Sequence, residues 1–175
     1  MTIPPIQSSA AGTFVFADLA GYTALTARWG DDIAAEVAIA LTDAALRLAD
    51  EHDGRLVKSM GDSVMLRTAS PAAGVRLGIA IAQHAPALRA RVGIHAGPAV
   101  EHHGDWFGLA VNLASRLCAQ AAPGEVLVSE PTWRAAGMRG CGAPAHAVTL
   151  GPWVLGDAPD PVEVLALATQ CGMGS

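Results

Sequence analysis

Six polar residues in this 175-residue chain have the types and spacing to do chemistry. Asp18 closes the β-branched and aromatic run TFVFAD, just ahead of Gly21, Tyr22 and Thr23. A carboxylate at a strand end beside a helix N-terminus suits a cation that bridges to phosphate. The first amides of the helix and their partial positive charge favour phosphate oxygens. Asp62 lies in a Gly61-Asp62 turn between two apolar runs, and two hard carboxylates on adjacent strands suit Mg²⁺ or Mn²⁺. Each also has a plainer reading, a helix cap for Asp18 and a turn former for Asp62. Lys58 precedes Asp62 by one i, i+4 step, and Asp105 comes later, before a helical stretch. A lysine donor beside an aspartate acceptor complements the edge of adenine, although each taken alone reads as a solvated charge. Asn112 and Arg116 share one helical face at i, i+4. An Asn suits a ribose and an Arg suits charge growing at phosphorus. A surface hydrogen-bonded pair is the alternative.

The elements that must position these residues follow from periodicity and turn chemistry. Thr13 to Asp18 reads as a buried strand, and Gly21-Tyr22 turns into a helical region. A longer helix starts near Asp31 or Asp32, either of which suits its cap. Its apolar face is expected to be Ile33, Val37, Leu41, Ala44 and Leu48, with Gly54 as the C-cap residue. Arg55–Met60 and Ser63–Arg67 read as a hairpin. Ser70-Pro71 opens a second helix running towards Pro86 or Leu88. Arg91–His95 is a strand, with Pro98–His102 as its antiparallel partner and Gly104–Trp106 as a turn that leaves Asp105 in a loop. A third helix runs from about Gly108 to Ala121. Glu125–Ser129 is a strand and Glu130–Ala136 a short helix, and the tail holds two strands, VTLGPWVL and VEVLAL. The order predicts an α/β (α+β) domain with a ferredoxin-like mixed or antiparallel sheet core and helices on one face. Residues 1–12 are expected to be a flexible start, 13–169 one domain, and 170–175 a flexible tail.

Composition narrows the function classes. Hydrophobic residues make up 51% and charged residues 15%, which argues against disorder. No apolar run of about 18 residues predicts a membrane span, and the N-terminus lacks the basic and apolar regions of a secretory signal. Cys118, Cys141 and Cys171 are far apart and form no C-x-x-C, which fits a reducing cytoplasm and excludes a cysteine zinc cluster. A net charge of −5 disfavours nucleic acid or anionic lipid as a partner. Arg outnumbers Lys ten to one, and the single lysine is Lys58.

Taken in order, FADLAGYT, KSMGDS, RVGIHAG and DWFGLAVNLASRL closely resemble the class III nucleotidyl cyclases, the family of adenylyl and guanylyl cyclases. The resemblance runs from about Phe14 to Leu167, and LGPWVLGDAPDPVEVLAL resembles the family's closing strand pair. It implies that Asp18 and Asp62 bind two divalent cations, Mg²⁺ or Mn²⁺, and that Lys58 and Asp105 recognise adenine. It further implies that Asn112 orients the ribose and Arg116 stabilises the transition state. Guanylyl cyclases usually carry Glu and Cys at the Lys58 and Asp105 positions, so the resemblance favours ATP. It also implies a homodimer whose two sites are each shared between subunits, and cyclic AMP with pyrophosphate as products.

One departure stands out. Many family members place a Lys in the penultimate loop to help hold the triphosphate, whereas Val154, Leu155 and Gly156 stand here. The short link between RVGIHAG and Asp105 resembles compact bacterial stand-alone cyclases. His95, His102 and His103 lack metal-ligand spacing and read as packing or surface residues. Rival readings are a silent cyclase-like nucleotide-binding or dimerisation module, a guanylyl or dual-specificity cyclase, and a diguanylate cyclase, whose G-G-D-E-F signature is missing. A palm-like RNA-binding domain is disfavoured by the acidic charge.

Overall fold

The computed structural model describes residues 9–85, 88–138, 145–156 and 158–169. The elements in chain order are β1 (Ser9–Leu19), α1 (Tyr22–Trp29), α2 (Asp31–Glu51), β2 (Gly54–Met60), β3 (Ser63–Thr68), α3 (Pro71–His84) and β4 (Ala90–His102). They continue with β5 (Asp105–Phe107), α4 (Leu109–Gln120), β6 (Val126–Ser129), α5 (Glu130–Ala136), β7 (Ala145–Trp153) and β8 (Val162–Thr169). The sheet order is β2-β3-β1-β4-β6-β8-β7, with β5 paired to β4 alone. Its first four strands are antiparallel neighbours in the split β-α-β pattern of a ferredoxin-like core, and β4 and β6 are parallel.

Period-two alternation along β1 sorts its side chains between two layers. Val15, Ala17 and Leu19 pack with Leu41, Ala45 and Leu48 of α2 and with Val75 and Leu77 of α3. Phe14 and Phe16 point the other way, against Ala110, Val111, Ala114 and Cys118 of α4. The helices therefore cover both faces rather than the single face expected, and among the described residues α4 is the helix on the side that carries the candidate residues. A third cluster joins Leu113, Leu117 and Leu127 to Leu155 and Val164.

Several boundaries differ from the sequence expectation for identifiable reasons. Ser9–Gly12, expected in a flexible start, extend β1, because Val100, Ala99, Pro98 and Gly97 of β4 pair with them in register. Pro98–His102 is thus not a separate partner strand. It continues β4, and the hairpin partner of its end is Asp105–Phe107 across a His103-Gly104 turn. Both turn residues have positive φ, 52° and 81°, as the favoured two-residue hairpin turn requires. Gly30 occupies the N-cap position of α2 while Asp31 and Asp32 fall in its first turn, where they complement the helix dipole. Asp53, not Gly54, takes the left-handed conformation after α2, with φ 54°. Ser70 does cap α3, its hydroxyl accepting from the Ala73 amide at 3.2 Å. That helix stops at His84. Pro86, Cys141, residues 1–8 and the 170–175 tail lie outside the described residues.

Candidate functional site

Asp18 is held by strand register between Ser63 of β3 and Arg91 of β4. The Arg91 guanidinium donates to its Oδ1 at 2.7 Å, with both side chains about 30% exposed. The bonded Asp18 carboxylate, offset in part by burial, raises the Arg91 pKa above its ordinary value, and Asp62 adds to the rise. Asp62 sits at the β2–β3 turn, where its carbonyl accepts from the Leu19 amide at 3.0 Å. One backbone bond thus ties the residue after Asp18 to Asp62. Gly21 follows in the left-handed region at φ 82° and leads α1, whose first turn holds Tyr22 and Thr23 and no acidic residue. The free amides of that turn are of the kind that meet phosphate. Among the described residues no three His, Cys, Asp or Glu side chains converge on one point. Two carboxylates suit Mg²⁺ or Mn²⁺, which take few protein ligands and complete their shells with water and phosphate oxygens.

Lys58 and Asp105 meet directly, Nζ donating to Oδ2 at 2.7 Å. A bulge between Leu56 and Lys58 resets the register of β2, so that Lys58 lies opposite Met65 on the α4 face. Asp105 is the first residue of β5, not a loop residue, and its Oδ1 accepts from the Trp106 amide at 2.8 Å. The Lys58 hydrogen bond, with the Trp106 amide in support, holds the Asp105 carboxyl below its usual pKa against a partial loss of hydration. The Asp105 carboxylate therefore stays charged across the physiological range, an acceptor beside the Lys58 donor.

Asn112 and Arg116 lie on the exposed face of α4. With Leu109, Leu113, Leu155 and Ala158 they line a cleft of about 110 Å³ between α4 and the loop after β7. That loop is where the family's lysine is missing. Leu155 is 3% exposed and anchors it, Val154 is 75% exposed, and Gly156 lies beneath the Arg116 guanidinium. Gly156 has φ 62°, and a Cβ there would come within 2.9 Å of Arg116 Cζ. At the position without that lysine, the Gly156 backbone lies close against Arg116.

The expected residues thus form three groups: Asp18 and Asp62 with α1, Lys58 with Asp105, and Asn112 with Arg116. No described hydrogen bond, ion pair or cleft joins the first group to the third. Sequence reasoning missed Arg91, whose partnership with Asp18 appears only once β1 and β4 are in register. It also missed Gly156, visible in sequence only as the gap left by the lysine. His95 is half-buried, with Nδ1 2.7 Å from Ser129 Oγ, which is 2.7 Å from Thr132 Oγ1. His102 and His103 are exposed and meet edge to face at 4.2 Å. All three fit the packing or surface reading. Among the described residues no helix is long and apolar enough to cross a membrane.

The sequence model of the adenylate and guanylate cyclase catalytic domain matches residues 5–141. The chain belongs to that family. It is 34% identical over 142 residues to a pH-sensitive adenylate cyclase of Mycobacterium tuberculosis, covering 76% of this chain and 34% of that protein. It is 39% identical over 119 residues to an adenylate cyclase of Streptomyces coelicolor, covering 65% and 31% respectively. An uncharacterised M. tuberculosis protein is 36% identical over 154 residues, covering 77% and 40%. The chain therefore spans well under half the length of these relatives. Among solved structures, an adenylate/guanylate cyclase/hydrolase from Silicibacter pomeroyi superposes with TM-score 0.79 at 25% identity, covering 92% of this chain and 98% of that one. The adenylyl cyclase CyaB from P. aeruginosa gives TM-score 0.78 at 21% identity, covering 95% and 98%, a likeness of fold.

Proposed function

We propose that this chain is an adenylyl cyclase that converts ATP to 3′,5′-cyclic AMP and pyrophosphate in the cytoplasm. The observation that carries the choice of ATP is the 2.7 Å Lys58–Asp105 pair, a donor and an acceptor presented together on the α4 face. Adenine offers the complementary edge, an acceptor at N1 beside a donor amino group. Asp18 and Asp62 hold two divalent cations, Mg²⁺ or Mn²⁺, which when bound supply Lewis-acid activation of the ribose 3′-hydroxyl and neutralise the triphosphate. Asn112 orients the ribose. The 3′-oxygen attacks the α-phosphorus in line, the bond to the bridging oxygen breaks, and pyrophosphate leaves. Arg116 donates to the non-bridging oxygens as charge accumulates there, an effect commonly worth about 3 kcal/mol. Gly21, Tyr22 and Thr23 offer backbone amides to the terminal phosphates.

The separation of Asp18 and Asp62 from Asn112 and Arg116 supports a site shared across a homodimer, with two equivalent sites about a two-fold axis. Incubating the protein with ATP or GTP, with each metal, tests the substrate. Cyclic AMP as the main product is expected, and cyclic GMP as the main product overturns the reading of Lys58 and Asp105. Asp18→Ala and Arg116→Ala are each expected to be nearly inactive. Mixing them restores activity through one intact hybrid site. Heterodimers that form without recovering activity sink the shared site.

A further inference from the structure

The β5 strand carries Asp105, yet it is only three residues long and pairs with β4 alone. Among the described residues the register of β4 with β1 runs as far as Val100, opposite Ser9, and β5 is paired to β4. Backbone pairing alone therefore does not fix the distance from β5 to β2, where Lys58 stands. The side chain next to Asp105 does. The Trp106 indole packs on Phe14 of β1, ring centroids 5.9 Å apart, and the Arg67 guanidinium lies over it at 4.2 Å. Arg67 is itself fixed, its Nη2 donating to the Ala11 carbonyl at 3.0 Å.

The slot for this arginine is made by Gly12, where an added Cβ would come within 2.6 Å of Arg67 Nε. That Nε is buried with no hydrogen-bond partner among the described residues, a cost that stability alone does not explain. A cleft of about 640 Å³ opens along one flank of the indole, between β2 and the β4–β5 turn. Among the described residues no layer packs on that flank, and the indole is held by its Phe14 and Arg67 contacts.

We infer that Arg67 and Trp106 are positioning residues for base recognition: their stack holds β5 on the sheet and sets where Asp105 meets the nucleobase. The inference rests on the proposal that Lys58 and Asp105 read adenine. Cation–π stacking on tryptophan is the strongest of its kind, and a planar guanidinium stacks while donating in its own plane. A lysine cannot do both.

The test is the dissociation constant of the non-cyclisable probes α,β-methylene-ATP and α,β-methylene-GTP with Mn²⁺, measured on the folded dimer. Arg67→Ala is expected to weaken the ATP probe about fivefold and to narrow its advantage over the GTP probe. Arg67→Lys should resemble Arg67→Ala, while Trp106→Phe keeps most of the affinity. If Trp106→Ala fails to fold, the arginine pair and Trp106→Phe carry the test. In an Asp105→Ala background, Arg67→Ala should add nothing, because its effect passes through Asp105. Full additivity there, or unchanged affinity in folded Arg67→Ala, overturns the positioning role. If Asp105→Ala itself leaves both affinities unchanged, it is the proposed base recognition that fails.

Discussion

At the scale of single residues, the site is built from short ionic contacts whose partners are far apart in sequence. Arg91 on Asp18 and Lys58 on Asp105 each close at 2.7 Å. Exposed pairs of this kind contribute little to stability, about 0–1 kcal/mol, so their value lies in where they hold the groups. The depressed Asp105 pKa has a signed consequence. The pair is intact above the ordinary carboxylate range and is lost only as pH falls through the lowered folded value. Asp105→Asn should therefore leave the acid limb of a pH–activity profile where it is while weakening ATP binding, and a shifted limb would assign that titration to Asp105. Gly156 gives a sharper prediction about Arg116. Gly156→Ala forces a side chain into a φ of 62° and into the guanidinium. It should lower kcat at least tenfold, since small misplacements of a reacting group are costly. The stability loss should stay near 1 kcal/mol at a surface loop. Unchanged kcat in the folded variant would show that Gly156 does not set the Arg116 position, since the guanidinium is then free to shift.

At the scale of elements, the strands and helices were largely legible because each carries its own period and punctuation. Ser70-Pro71, the Gly61-Asp62 turn and the TFVFAD strand needed no tertiary information. What failed needed a partner to be known. Whether Pro98–His102 turns back or runs on depends on Ser9–Gly12, residues with no strand signal of their own. The face of α2 was legible only in part. Leu41 and Leu48 are buried and Val37 packs on the core, as expected, but Ile33 is left 42% exposed. The remaining buried positions are the small Ala34, Ala38, Ala45 and Ala49, which permit close approach and which a search for large apolar side chains passes over. The candidate residues were legible as types in order, but their grouping was not, because it depends on α4 crossing to the opposite face. The α2 assignment is checked by a pair of truncations read in urea unfolding. Leu41→Ala should cost about 2–5 kcal/mol, as a fully buried leucine does. Ile33→Ala should stay within about 0.5 kcal/mol. Similar losses at both positions would reinstate the face expected from the sequence.

At the scale of the whole molecule, the buried polar network around His95 links the sheet to its last helix and makes folding sensitive to acid. His95 on β4 bonds Ser129 at the end of β6, Ser129 bonds Thr132 of α5, and Thr132 accepts from the Ala96 amide at 2.8 Å. This chain of bonds spans the parallel β4–β6 junction, where the ferredoxin-like half meets the closing strands. Burial lowers the His95 pKa from 6.5 to about 4, so the imidazole is neutral in the folded protein near neutral pH. The unfolded chain takes up that proton first as pH falls, and stability is therefore lost between pH 6.5 and about 4 and is fully present above 6.5. The size of the loss is about 3 kcal/mol by linkage. Urea unfolding at fixed protein concentration, which holds any association constant, should show a lower midpoint at pH 5 than at pH 7.5. His95→Gln removes the titrating group and should flatten that slope, even if it lowers stability at both pH values by disturbing the Ser129 bond. A variant with the full acid slope would place the sensitivity among the carboxylates instead.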